Sequence, residues 1–248
     1  MKIGIRKARS GAAFSRVVCV TIAALLLGAC APMNVKQVDR LSTVRENPRI
    51  LLMPPDIKYY LLTTGGVPEP NAEWTDAAQA NFAEAVVNYA ASIGTDLKVL
   101  DHDNMSALEV EYEELHSAVG FTVLNNYFGY AKLPSKAGEF DWSLGPDISQ
   151  LADEHDADYA LFAYYRDYQA SGGRVAFAIL AAAAGAATSV GSESGFASLV
   201  DLRTGDVVWF NVVNAGSGEL RDKDGAALAV NTLFRDLPTG NDEPASNP

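Results

Sequence analysis

The chain has 248 residues, of which 19 are Lys or Arg and 31 are Asp or Glu, giving a formal net charge of −12 at pH 7. An acidic field of this size repels phosphate backbones and anionic lipid heads, so nucleic acid is excluded as an expected partner. Two cysteines allow at most one disulfide, and 48% hydrophobic residues suffice for one apolar core.

Taken in chain order, residues 1–29 read as a signal peptide. Lys2, Arg6, Lys7, Arg9 and Arg16 form a basic start with no acidic residue, and an apolar run from Val17 to Leu27 follows. That run is shorter than the roughly 20 apolar residues needed to cross a bilayer, and it suits a signal-peptide core. Leu27, Gly28, Ala29 and Cys30 resemble the lipobox of bacterial lipoproteins. The resemblance implies cleavage before Cys30 and a diacylglycerol on its sulfur, with a possible further acyl chain such as palmitate on its amino group. Ala31 in place of Asp, by resemblance to the enteric sorting rule, favours the outer membrane and its periplasmic face. Loss of the signal removes five basic residues and lowers the net charge to −17. Cys19 leaves with it and Cys30 is acylated, so no disulfide is expected.

Residues 30–47 read as the acylated cysteine and a polar tether, 48–237 as a single domain, and 238–248 as a Pro- and Asn-rich disordered tail. Ile50–Met53 is a short apolar run stopped by Pro54–Pro55, which predicts a buried strand, and Lys58–Leu62 continues it. Thr75 is read as a helix cap; Ala78, Phe82, Ala85, Val86, Tyr89 and Ile93 then fall on one helical face, closed by Gly94. Leu97–Leu100 predicts a strand, and Asp103 or Ser106 opens a helix to about Ser117. Residues 119–142 are aromatic and Gly-bearing and are expected to be mostly irregular. Pro146 suits the first turn of a helix running to about His155. Ala157–Tyr165 is a strand. Phe196–Leu202 and Asp206–Val212, joined by Arg203–Thr204–Gly205, make a hairpin. Ala226, Val230, Leu233 and Phe234 share the face of a last helix.

The expected fold class is therefore α/β (α+β): a single mixed β-sheet with helices packed on it, in the order β-(β)-α-β-α-α-β-β-β-α. The strand Ala157–Asp158–Tyr159–Ala160–Leu161–Phe162 and the hairpin Ser198–Leu199–Val200–Asp201–Leu202–Arg203–Thr204–Gly205–Asp206–Val207–Val208–Trp209 resemble a broad lipoprotein group. It comprises the curli-secretion lipoproteins, the penicillin-binding-protein activators and the N-terminal domain of the Tol-system propeller protein. The resemblance spans about residues 48–236 and implies a non-catalytic module that assembles with other envelope proteins. The long alternating strands with which the curli-secretion family builds a pore do not stand out here, which sets pore formation in doubt.

Few residues suggest chemistry. His102, His116 and His155 sit in separate segments beside carboxylates, without a second ligand pair at helical spacing; they read as polar turns at element ends, and no metal or cofactor is expected. Gly191–Ser192–Glu193–Ser194–Gly195 places Glu where an esterase elbow needs Ser. Gly65–Gly66 and Gly172–Gly173 lack the lysine of a phosphate loop. The Ala-rich run Val175–Ala187 reads as a small-residue helix or loop packed tightly on the sheet. If it is not, Phe177, Ile179 and Leu180 are the candidate partner or membrane contact. Tyr127, Phe128, Tyr130 and Trp142 form a second aromatic candidate, read as core or loop packing. The sequence thus points to a non-enzymatic outer-membrane lipoprotein with a periplasmic domain, held by its lipid and contacting other envelope proteins or itself. The alternatives are a periplasmic small-ligand-binding protein or enzyme, and a homo-oligomeric export component.

Overall fold

The computed structural model describes residues 35–37, 48–136, 138–214 and 218–238, within one compact unit spanning 34–248. Leu27, Gly28, Ala29 and Cys30, read as a lipobox, and all but the first residue of the expected tail 238–248 lie outside the described residues.

The spine of the sheet is β6, Tyr159–Ala170, whose first nine residues are all buried. The apolar run Tyr159–Tyr165 within them marks a central strand covered on both faces. On one side β6 pairs antiparallel with β7, Gly191–Asp201, which pairs antiparallel with β8, Val207–Asn214. The outermost partner of β8 is β1, Val35–Gln37, a three-residue strand within the span read as tether. On the other side β6 takes two parallel partners in succession, β2 (Arg49–Leu52) and β3 (Asp56–Leu62). Pro54–Pro55 separates them: proline carries no N–H for the ladder, and the last rung before the break is Met53 N–H to Leu161 O at 3.0 Å. Beyond the break β3 pairs outward with β4, Pro68–Pro70, while β2 pairs outward with the parallel edge strand β5, Asp96–Val99. The fold is the expected single mixed sheet; among the described residues it forms no barrel, and no helix is long and apolar enough to cross a membrane.

Among the described residues five α-helices accompany it. Helix α1, Ala72–Ile93, buries Ala78, Phe82, Ala85, Val86 and Ala90 and ends at Gly94 in the left-handed conformation (φ 69°). Its cap is Asn71, which accepts from Trp74 N–H; Thr75 instead accepts the N–H of Tyr59 at 3.0 Å, so the residue read as a cap ties the helix to β3. Helix α2, Ala107–Val123, starts with a reciprocal capping box between Ser106 and Glu109. It runs six residues beyond the expected end at Ser117 and passes into a π turn, Leu124–Phe128. The residues that looked irregular stay helical because they pack: a Cβ on Gly120 would lie 2.0 Å from the Phe196 ring, so glycine is what lets α2 sit on the sheet. Pro146–Ile148 forms a 3₁₀ turn leading into α3, Ser149–His155. Helix α4, Gly172–Ala183, connects β6 to β7, and α5, Lys223–Leu233, is capped by Asp222.

The two sheet faces are covered by different helices. Phe162, Tyr164, Phe196, Val200 and Phe210 meet Tyr112 and Val123 of α2 and Ile148 and Leu151 at α3. Tyr164, Phe196 and Phe210 stack across three neighbouring strands at centroid distances of 4.8 and 5.4 Å. Strand alternation turns Asn211 to the opposite face, where its amide donates to the carbonyls of Thr232 and Leu233 of α5 at 3.1 and 2.7 Å. There Phe82 of α1 meets Phe234 edge-on at 6.0 Å.

The motif residues are folding devices. Asp158 accepts the backbone N–H of Arg49 at 3.1 Å and its guanidinium at 3.3 Å, pinning the start of β2 beside the start of β6. Asp201 accepts from Arg203 N–H at 2.8 Å to shape the hairpin turn, Gly205 supplies φ 79°, and Trp209 is fully buried.

Candidate functional site

Helix α4 departs from the tight packing expected of it: none of its residues is buried. More than half of the helix is Ala or Gly, and its few large apolar side chains stay in water rather than turning onto the sheet. Ile179 is 65% exposed and Leu180 71% exposed, with Phe177 and Val175 beside them. Between Arg174 and Glu193 the sequence has no charged residue. Val190, leading into β7, and Val67, in the neighbouring β3–β4 turn, are also exposed. The base of this tip is anchored. Ser171 accepts from Arg174 N–H, Arg174 Nε donates to Ser189 O at 3.0 Å, and its guanidinium lies over the Phe177 ring at 5.8 Å. A Cβ on Gly173 would lie 2.3 Å from Thr64 Oγ1, so the helix start presses on the β3–β4 turn. Apolar side chains gathered on one exposed tip are the mark of a contact surface.

Beneath the tip lies an open cavity of about 670 Å³, lined by Asp167, Gln169, Val175, Glu193 and Glu219 among others. Gln169 Nε2 bridges Asp167 and Glu219 at 3.2 and 3.1 Å, and Arg221 clamps Glu219 at 2.6 Å. The Arg221 hydrogen bond holds the Glu219 carboxyl down at about 2. Burial, aided by the nearby Glu193 and Glu219, pushes Asp167 up to about 6. Burial, aided by Asp167 and Glu219, also raises the Tyr59 phenol, which donates to Glu219 at 3.1 Å.

The three histidines have three fates. His102 is exposed in a 3₁₀ turn, His102–Asn104, as expected of an element end. His116 is not at an end but inside α2, stacked on Phe162 at 4.6 Å, and burial pushes its imidazole down to about 3. His155, at the end of α3, meets the buried Glu109 of α2 at 2.6 Å. Burial pushes Glu109 up, but the Ser106 N–H and His155 outweigh it and leave the carboxyl below its usual range. With Glu154 these residues offer ligand atoms within 4.8 Å of one another, a set with the chemistry to hold a metal ion. A separation of 46 residues hides the pair from local spacing.

Gly191–Gly195 runs straight in β7 rather than forming a turn. Of the aromatic candidates, Trp142 is buried and Tyr127 and Phe128 pack against the core, whereas Tyr130 is fully exposed. A second cavity, of about 630 Å³, opens between α1 and the carboxyl ends of β2 and β5.

These features define a mixed α/β domain carrying an uncharged, apolar tip. No protein-family model and no curated protein matches the chain. Among solved structures it is similar to the PelC dodecamer from Paraburkholderia phytofirmans, with TM-score 0.36 and 11% identity over 81% of this chain and 95% of that one. Lipoprotein GNA1162 from Neisseria meningitidis aligns at TM-score 0.31 and 15% identity, covering 67% of this chain and 81% of that one. The LpoB C-terminal domain from Salmonella enterica aligns at 0.26 and 11%, covering 70% and 86%. At such scores no residue role transfers from these proteins.

Proposed function

We propose that the protein is a lipid-anchored, non-enzymatic accessory factor of the outer membrane that works in the periplasm through contacts with other envelope proteins. Cys30, behind Leu27–Gly28–Ala29, is its lipid attachment site, and Phe177, Ile179 and Leu180 are its contact residues. The observation that carries the reading is the exposed α4 tip. The order of the strands adds support. Val35 pairs with Asn211 and Ser194 with Asn214, so the described chain enters β1 from the side of the sheet where α4 projects. In sequence Cys30 precedes Val35 by five residues, a covalent reach of at most about 18 Å. A lipid on Cys30 would tether the domain at the membrane, among the other proteins attached there.

The test is the native mass of the full-length lipoprotein, extracted in mild detergent after its neighbours are cross-linked. A large species containing other envelope proteins, reduced to monomer by Ile179→Asp with Leu180→Asp, is the expected result. A lone wild-type monomer would refute the reading and favour a ligand-binding or enzymatic role. A large species of this chain alone would replace it with a homo-oligomeric export component.

A further inference from the structure

The cavity at the carboxyl ends of β2 and β5 lies where chains leaving parallel strands part and make room for a ligand. Its inner wall is apolar, with Leu52, Met53 and Pro54 buried and Ala80 and Ala83 of α1 facing them. Its rim is acidic, with Asp76 on α1 and Asp101 and Asp103 on the 3₁₀ turn beside His102.

Alongside the cleft runs an open sheet edge. Among the described residues β5 pairs only with β2, and both Lys98 and Val99 are exposed, Val99 by 44%. Leu100 N–H donates to Leu52 O at 3.0 Å, so strand alternation turns the N–H groups of Leu97 and Val99 away from β2. Lys98, the kind of charge that commonly guards an edge, is tied back and donates to the carbonyl of His155 at 3.3 Å. Val99 pairs with Leu52 and lines the cleft, so a side chain placed opposite Val99 on an added strand would enter that cavity.

We infer that β5 and this cleft form a docking site for an extended segment of a partner protein, bearing an apolar anchor flanked by Lys or Arg. The segment adds to β5 as a further strand, its anchor fills the cleft, and its cations face Asp76, Asp101 and Asp103. A second copy of this chain is the poorer occupant, because pairing two β5 edges would bring two acidic rims together. An anionic lipid surface is disfavoured by the same charges. This surface is separate from α4, and the inference stands without it.

The experiment uses the full-length protein in nonionic detergent and two labelled heptapeptides, Lys-Thr-Leu-Thr-Val-Thr-Lys and its Glu-flanked counterpart, read by fluorescence anisotropy. Val99→Pro deletes one outward N–H and leaves the β2 ladder intact. Ala83→Phe fills the cleft while keeping every backbone hydrogen bond, and decides the matter if Val99→Pro unfolds. The basic peptide is expected to bind saturably, at least tenfold more tightly than the acidic one, and to lose at least tenfold in each folded variant. No saturable binding, equal binding of both peptides, or undiminished binding to Ala83→Phe would overturn the inference. So would a wild-type dimer that Val99→Pro dissolves, which would assign the edge to a second copy.

Discussion

Replacing Ile179 and Leu180 of α4 with Asp separates a contact surface from a structural element, because the two roles predict opposite outcomes. Both side chains are about two-thirds exposed, 65% and 71%. Completing the burial of an Ile or Leu contributes about 1.5–3 kcal/mol when the whole side chain leaves water, so the exposed share is worth roughly 1–2 kcal/mol each. A partner covering both would lose about 2–4 kcal/mol, a weakening of roughly 30- to 1000-fold at 1.4 kcal/mol per decade. The fold itself should barely change, since substitutions at exposed positions usually lie within about 0.5 kcal/mol. Urea unfolding of the purified variant measures the second quantity, and titration of the cross-linked complex against protein concentration measures the first. A complex weakened less than about threefold, or a fold destabilised by more than about 2 kcal/mol, would refute the assignment of α4 as a contact surface.

Other expectations follow from the buried charges and the anchor. Arg166 Nη2 meets Asp56 at 2.6 Å with both side chains about nine-tenths buried, and its guanidinium lies 4.0 Å over the Tyr164 ring. Arg166→Met removes the buried partner of the carboxylate, leaving it Lys58 at 3.2 Å and the Ser117 hydroxyl at 3.4 Å, and should cost about 2–4 kcal/mol, lowering Tm by roughly 4–16 °C in calorimetry; a loss below about 1 kcal/mol would contradict this. His116 is held down to about 3 by burial, whereas an unfolded histidine protonates near 6.5. The unfolded chain therefore takes up a proton that the fold refuses, and stability should fall between about pH 6.5 and 3 with a slope that His116→Leu flattens in urea titrations. Asp167 is pushed up to about 6, so its charge costs stability once the pH rises through that value. Asp167→Asn should gain about 1 kcal/mol at pH 7.5 and nothing at pH 3.5; a loss at pH 7.5 would contradict this. Finally, Cys30→Ala should move the protein from the membrane to the soluble fraction of fractionated cells, and its retention in the membrane would undo the acylation claim.

The parts legible in the sequence are those in which neighbouring residues set the outcome. The 3.6-residue spacing of Ala78, Phe82, Ala85 and Val86 places α1, and the apolar run through Tyr165 marks β6 as a covered strand. Gly205 between two apolar runs makes the hairpin. The proposed signal and lipobox rest on order and composition alone. Local signals misled where a distant group competed for a side chain: Thr75 was free to cap α1, but Tyr59 N–H, sixteen residues away, claims its hydroxyl. Residues 119–123 look irregular until Gly120 meets the Phe196 ring. The Ala-rich run gives the same helical signal whether it lies on the sheet or stands off it, so the exposure of Ile179 and Leu180 was not readable. Its helical state depends on contacts within a few residues, and its burial on what the rest of the chain brings near. For the same reason the pairing of His155 with Glu109, and the cleft between α1 and β5, belong to the tertiary structure alone. The sequence by itself determined most of the elements and suggested the export signal and acylation site proposed above, because those rest on covalent order and local spacing. Only the fold decided which apolar surface stayed in water and which distant charges met.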